Sequence, residues 1–441
     1  MPRLRHLLLA SVALAAATGS WAQSLQEVYE AARAYDAAYL AARAQADSAL
    51  HRKAQSDALR LPNVSAGASL TRAETDPPAS LSNPAGERFG ATTGALSVNG
   101  RQPLFNRGNA ATIGQAERSL AVAQADLQSA EQELIVRTAQ TYFDVLVAQD
   151  TLAAAQASMK AIDEQLASAK RNFEVGTATI TDTREAQARF DLATATAIAA
   201  ENDLRTKGIA LDQLVGRSDV KPHPLATPVA LPALAPPAVD DWVGQAQSGH
   251  PSVRRADLGL AIARLETEKA RAGHLPTVDA VASLGANRIS GGGSSGNTTS
   301  ASLGVQMNVP IFSGYSVQNR IKETLSLEER SRNELDAARR GVAQGARVAF
   351  FGYQSGQAQV KALEAAESSS KLALEATQLG YRVGVRVNLD VLNAQTQLFT
   401  TQRDLSKARY DVLLGGLRLR QAAGTLQAAD INAVNSLLSA R

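Results

Sequence analysis

Residues 107–173 read RGNAATIGQAERSLAVAQADLQSAEQELIVRTAQTYFDVLVAQDTLAAAQASMKAIDEQLASAKRNF. Apolar or small side chains recur in this stretch at every seventh position. One column is Ile113, Leu120, Leu127 and Leu134, continuing through Thr141, Ala148, Ala155 and Ile162 to Ala169. A second column holds Val145, Leu152, Met159, Leu166 and Phe173. Two columns sustained over this many heptads predict a coiled-coil seam rather than an ordinary amphipathic helix. The stretch has no proline. At ~1.5 Å per residue the helix would run roughly 100 Å, longer than a globular core is wide. It must therefore belong to a rod, a bundle or a tube.

The pattern then recurs. Phe173-Glu174-Val175-Gly176-Thr177 returns as Tyr381-Arg382-Val383-Gly384-Val385, Asp182 as Asp390, Ala186-Gln187 as Ala394-Gln395, and Gly216 as Gly424. The offset is constant, so a helix, a tip and a returning helix are duplicated without insertion. The return helices carry columns Phe190, Ala197, Leu204, Leu211 and Leu398, Leu405, Val412, Leu419. The second long helix, from about Tyr315 to Tyr381, keeps its column at Val360, Leu374 and Tyr381 and is interrupted by Glu367. It also holds Gly341, Gly345, Gly352 and Gly356. Each costs up to ~1 kcal/mol against Ala, which fits either close approach of a neighbouring helix or simple tolerance.

The rest of each repeat is short helix and strand. Residues 25–60 and 241–273 each read as one helix, the first ended by Leu61-Pro62. After Leu61-Pro62, Val64, Ala66, Ala68 and Leu70 alternate with Ser65, Gly67, Ser69 and Thr71. After the matching Leu275-Pro276, Val278, Ala280, Ala282 and Leu284 repeat that pattern. The partner strands are Leu96 and Val98 alternating with Ser97, Asn99 and Arg101, ending at Pro103, and Leu303, Val305, Met307 and Val309 closed by Pro310. Loops at 72–91 and 291–300 join them. Strands of about 10 residues alternating apolar with small or polar residues are the signature of a transmembrane β-barrel. One chain supplies four, and an open edge cannot stand in lipid. The barrel must be shared between chains.

Expected boundaries are a secretory leader at 1–22, a first repeat at 23–216, a proline-rich connector at 217–240, a second repeat at 241–424 and a tail at 425–441 packed on the outside. The leader is read from Arg3 and Arg5, the apolar run Leu7 to Ala17 and the small-x-small Ser20-Trp21-Ala22. Its removal takes two arginines and no acid, so net charge falls from +3 to +1. That lends nothing to a nucleic-acid function. Cysteine is absent, which excludes disulfides, thiolate metal sites and a lipid-anchoring cysteine. There is no phosphate-cradling glycine loop and no nucleophile elbow. His51, His223, His250 and His274 lack metal-ligand spacing. Neither enzyme, cofactor nor metal site is expected.

The chain resembles the TolC family of trimeric outer-membrane exit ducts over nearly its whole mature length. The resemblance is carried jointly by Ala139 to Leu146, Phe173 to Asp182, Gly273-His274-Leu275-Pro276-Thr277, Gly380 to Gly384 and Asp390-Val391-Leu392. It implies a homotrimer, mainly α with transmembrane β. A 12-stranded barrel in the outer membrane of a Gram-negative bacterium would continue into a long α-helical coiled-coil barrel in the periplasm. It implies docking to a periplasmic adaptor (a membrane fusion protein) and an inner-membrane transporter, with export of drugs or unfolded proteins. Cargo choice would rest with the transporter, so efflux and type I secretion are not separated here. The rival reading, a trimeric coiled-coil surface protein with a membrane anchor, predicts strands gathered at one end of the sequence.

The resemblance also assigns residues. Val175, Gly176, Thr177 and Val383, Gly384, Val385 become the tips that meet the adaptor. Asp182, Tyr381 and Arg386 become the polar links of a closed entrance, and Asp390 a ring of carboxylates on the threefold axis that attracts cations. Here the chain departs from the pattern. The position three residues on, acidic in the best-known member, is Asn393, so one acidic ring stands where two are expected. Local roles fit the same residues. Asp182 with Glu185 resembles a capping box, Asp390 suits a helix cap, Tyr381 lies on the seam column, and Arg386 suits a solvated loop.

Overall fold

The structure, a computed structural model, describes residues 23–76, 78, 88–226, 231–291 and 295–438. The expected leader, residues 77 and 79–87 of the 72–91 loop, Pro228 and residues 292–294 of the Gly/Ser loop lie outside these. The two long helices are unbroken. α3 spans Arg107–Glu174, 68 residues, and α7 spans Ser316–Arg382, 67 residues. Their return partners are α4, Ile180–Val215, and α8, Asn388–Ala422.

The two shorter helices are each split, contrary to expectation, and at matching points of the repeats. The first becomes α1, Leu25–Tyr35, and α2, Ala37–Asp57, followed by a 3-10 turn at Ala58–Arg60. Asp36 leaves helical conformation (φ −60°, ψ 117°), and its Oδ1 accepts from the Tyr39 N–H at 2.8 Å. Its other carboxylate oxygen meets Arg137 Nη2 at 2.7 Å. A short acidic side chain that bonds nearby backbone competes with the helical ladder, which is why the break falls there. The second becomes α5, Val239–Gly249, and α6, Pro251–Ala272. There Pro251 forces His250 out of the helix and starts the next one itself.

The chain packs as two compact units. One comprises the chain up to Arg43, Asp126–Val253 and Ala338 onward; the other comprises Ala44–Ala125 and Arg254–Ala337. Each unit draws on both sequence repeats.

The first unit holds the main core. Leu25 and Val28 of α1, Leu134, Tyr142, Phe143 and Leu146 of α3, Leu211 of α4 and Leu413 and Leu417 of α8 are all buried in it. The stretch Ala139 to Leu146 lies at its centre. Tyr142 OH accepts from the His223 N–H at 2.7 Å and donates to the Gln23 carbonyl at 3.0 Å. Phe143 stacks against Tyr410 at 5.7 Å between ring centres. Tyr29, Tyr39, Tyr142, Phe143 and Tyr410 thus gather in the core where two repeats meet. The tail packs on this core by one face and leaves Asn432 and Ala433 exposed. α9, Ala429–Asn435, buries Ile431 and Val434 in this core, and the Leu25 N–H donates to Asn435 Oδ1 at 3.1 Å. The seam columns are buried at Ile113, Leu134, Ala148, Ile162 and Ala169 on α3 and at Leu398, Leu405, Val412 and Leu419 on α8. Glu367, which interrupts the α7 column, accepts from Gln402 Nε2 of α8 at 3.1 Å. Among the α7 glycines, Gly356 is approached closely: a Cβ there would meet Val412 Cγ2 at 3.0 Å. Gly341, Gly345 and Gly352 have open space within the chain.

The second unit contains one four-stranded antiparallel sheet in the order β1-β2-β3-β4. The strands are β1, Asn63–Thr75, β2, Phe89–Phe105, β3, Thr277–Gly291, and β4, Gly296–Asn308. They exceed the ten residues expected, and β2 runs past Pro103 by a register shift between Pro103 and Phe105. Proline lacks the N–H a regular ladder needs, so a bulge accommodates it. The hairpins are joined edge to edge through β2 and β3. Register then sorts the faces. Ser65, Asn99, Ser283 and Ser302 form one row across all four strands, and Gly67, Ser97, Gly285 and Ser300 the next. On the opposite face lie Ala66, Val98, Leu284, Ala301 and Val64, Gly100, Ala282, Leu303. The apolar face is bare within the chain: Leu70 is 80%, Leu284 61% and Leu303 85% exposed. β1 and β4 each keep one unpaired edge. No described helix is long and apolar enough to cross a membrane.

Candidate functional site: the two hairpin tips

Both long helices end in the same backbone device. The Gly176 N–H bonds the Phe173 carbonyl at 3.0 Å and the Thr177 N–H bonds the Asn172 carbonyl at 2.8 Å. In the second tip the Gly384 N–H bonds the Tyr381 carbonyl at 3.1 Å and the Val385 N–H bonds the Gly380 carbonyl at 2.9 Å. Gly176 and Gly384 sit at φ +78° and +80°, the left-handed conformation that closes a helix and that glycine adopts without strain. Around them the apolar side chains point into solvent: Val175 is 73%, Val383 65% and Val385 76% exposed, and Thr177 is exposed too.

Asp182 is engaged locally. Its Oδ2 accepts from the Thr179 N–H at 2.9 Å, while Thr179 Oγ1 accepts from the Asp182 N–H at 3.2 Å. This is a capping box, one step earlier than the Asp182–Glu185 pairing read from sequence. The helix starts at Ile180, so Thr179 holds the cap position and Asp182 the third helical one. Asp390 occupies the equivalent place on α8 but is held loosely. Its Oδ2 lies 3.5 Å from the Val387 N–H, and Val387 has no side-chain oxygen to complete the box, so the Asp390 N–H bonds the Val387 backbone carbonyl at 3.1 Å instead. The Asp390 carboxylate instead faces Arg386 Nη1 at 3.6 Å, one turn away.

Tyr381 is half-buried, and its hydroxyl accepts from Asn172 Nδ2 at 3.2 Å. The chain therefore brings Arg386 to Asp390 and Tyr381 to Asn172. It does not bring Asp182 to either Tyr381 or Arg386. Further bonds tie the first hairpin to the second. Gln165 Nε2 donates to Asn388 Oδ1 at 2.5 Å and Arg189 Nη2 donates to Asn393 Oδ1 at 3.0 Å. Asn388 is 3% exposed and its Nδ2 is buried without a partner in the chain. Sequence reasoning passes over Gln165, Asn172, Arg189 and Asn388. Heptad columns highlight apolar positions, and the duplication offers no signal because the partners come from non-equivalent places in the two repeats. Among the described residues no three His, Asp or Glu side chains converge as a metal site would require.

The family model described as "Outer membrane efflux protein" matches residues 28–217 and 242–425. The outer membrane protein TolC of Vibrio cholerae is 31% identical over 446 residues, covering 99% of this chain and 98% of that protein. The alkaline protease secretion protein AprF of Pseudomonas aeruginosa is 33% identical over 340 residues, covering 76% of this chain and 70% of its own. The crystal structure of the outer membrane protein VceC of Vibrio cholerae superposes with a TM-score of 0.77 at 20% identity, over 91% of this chain and 96% of that one.

Proposed function

This chain belongs to the outer membrane efflux protein family, and we propose that it works as the outer-membrane exit duct of a tripartite efflux or type I secretion system. The observation that carries this reading is the sheet. Its rows through Val64, Ser65, Ala66 and Gly67 separate a Ser/Gly/Asn face from a Leu/Val/Ala face across all four strands, and the sheet ends in two unpaired edges. A two-faced sheet of this kind suits lipid on one side and water on the other. The open edges suit closure by further copies, since unpaired backbone is not tolerated in lipid. Three chains of four strands make twelve. The helical hairpins then extend the duct into the periplasm. The strands come as two hairpins joined into one sheet, which disfavours a surface coiled coil with a terminal anchor.

The bare valines of both tips suit an apolar docking surface for a periplasmic adaptor, since exposed apolar patches mark interaction sites. An inner-membrane transporter would supply cargo, drug or unfolded protein. The resting entrance would be closed by Asp182, Tyr381 and Arg386, with Asp390 on the axis. Within the chain Arg386 and Asp182 do not meet, so a link between them would join neighbouring protomers. The decisive measurement is the mass of the detergent-purified protein by light scattering. Three chains are expected, and a stable monomer with full β content would falsify the shared barrel.

A further inference from the structure

Asn393 stands one turn beyond Asp390 on α8, where a second acid would double the carboxylate charge of the entrance. Its Oδ1 is taken by Arg189 of α4 at 3.0 Å. The acceptor is a neutral amide, so the bond orients the guanidinium without cancelling its charge. An aspartate at 393 would pair with Arg189 and neutralise it. On the near side of Asp390, Arg386 Nη1 lies 3.6 Å from the carboxylate. Side chains three and four residues apart on a helix are neighbours, ~5–6 Å between Cβ atoms. Asp390 is therefore flanked along α8 by two guanidinium groups, one from its own helix and one reaching across from the first hairpin. Charges this close act together even at physiological salt, where screening sets in beyond about 8 Å.

We propose that Arg189 is a selectivity-determining residue that offsets the Asp390 ring, so that the entrance admits anions at least as readily as cations. The proposal rests on the reading of Asp390 as a residue of the constriction. If three chains surround one axis, each contributes one carboxylate with two flanking guanidinium groups. A pore wall of low dielectric focuses whatever net charge remains, and with Asp182 at the same entrance the two carboxylates and two guanidinium groups of each chain offset one another. Such an entrance does not repel anionic cargo, whether acidic polypeptide segments or small organic anions. Asn393 and Arg189 act as one device, because the amide fixes the cation without neutralising it.

The test is the reversal potential of single channels in planar bilayers under a potassium chloride gradient, with trimers verified by mass. The wild type should give a cation-to-anion permeability ratio at or below unity. Arg189→Gln keeps a donor for Asn393 and removes the charge; the ratio should rise by about threefold or more. Arg189→Lys should hold the wild-type ratio, and Asn393→Asp, which pairs the guanidinium, should raise it. Asp390→Asn should lower it. If Asp390→Asn shifts the ratio while Arg189→Gln and Asn393→Asp leave it unchanged, Arg189 has no such role and the constriction reading survives. If Asp390→Asn changes nothing, the constriction reading and this inference fall together. A strongly cation-selective wild type, or a lysine variant that behaves like the glutamine one, overturns the proposal as well.

Discussion

The turn between α3 and α4 and the turn between α7 and α8 share one backbone but not one chemistry. Corresponding hydrogen bonds differ by 0.1 Å, and the closing glycines differ by two degrees in φ. Yet the first tip spends its acid on itself, in the Thr179–Asp182 box. The second has Val387 where the first has Thr179, so Asp390 is left to Arg386. Tyr381 has a hydroxyl that Phe173 lacks, and it is that hydroxyl which reaches Asn172. Duplication preserved the hinge; divergence left the half-held carboxylate on one copy. A carboxylate already held in its own helix cap, as Asp182 is, has less bonding capacity left for a partner. A tip whose carboxylate is only half-held is free to interact across an interface.

Substitutions at matched positions of the two tips put that contrast to the test. The largest effect is expected from Tyr381→Phe combined with Arg386→Ser, which strips the second tip of its outward bonds while leaving the backbone device in place. Single-channel conductance should rise several-fold. A polar change in the first tip, Thr177→Val, should leave conductance as it was. Equal conductance from both variants would erase the functional asymmetry. Next in size, Gly176→Ala and Gly384→Ala should each destabilise their turn by about 1–2 kcal/mol, because a side chain resists the left-handed conformation. Nothing lies within 4 Å of the place a Cβ would take at either glycine, so the two costs should match, as read by amide exchange at the tips. Smaller again, Thr179→Ala should cost about 1 kcal/mol of local stability by removing a helix cap. Val387→Ala should cost almost nothing. The smallest is a gain: Val387→Thr should restore the missing box and add a few tenths of a kcal/mol up to about 1. It should also draw Asp390 away from Arg386. Exchange rates in the first turn of α8 would register it, and a loss of stability there would count against the capping argument.

Much of this architecture is legible because it is periodic. Seven-residue columns place α3 and α8 in a seam whatever their neighbours are, and Leu134, Ala148, Ile162 and Leu419 are indeed buried. The helix breaks at Asp36 and His250 escape such a reading for opposite reasons. Pro251 is a visible breaker that the likeness of the two repeats smooths over. Asp36 acts through Tyr39 and Arg137, and the second of these contacts is distant in sequence. The place of the tail escapes it too, because seven helical residues carry too short a pattern to show which face is covered.

Period, offset and punctuation follow from bonds between residues near one another along the chain. Helices, strands, the glycine hinges and the duplication could therefore be written down before any coordinates. Pairing between distant side chains has no such period. That Arg189 finds Asn393, that Asn172 finds Tyr381, and that β2 joins β3 so that four weak alternations become one two-faced sheet, depend on how the repeats pack against each other. Those contacts come from the folded arrangement, because a side chain's partner is set by proximity in space and not by spacing in sequence.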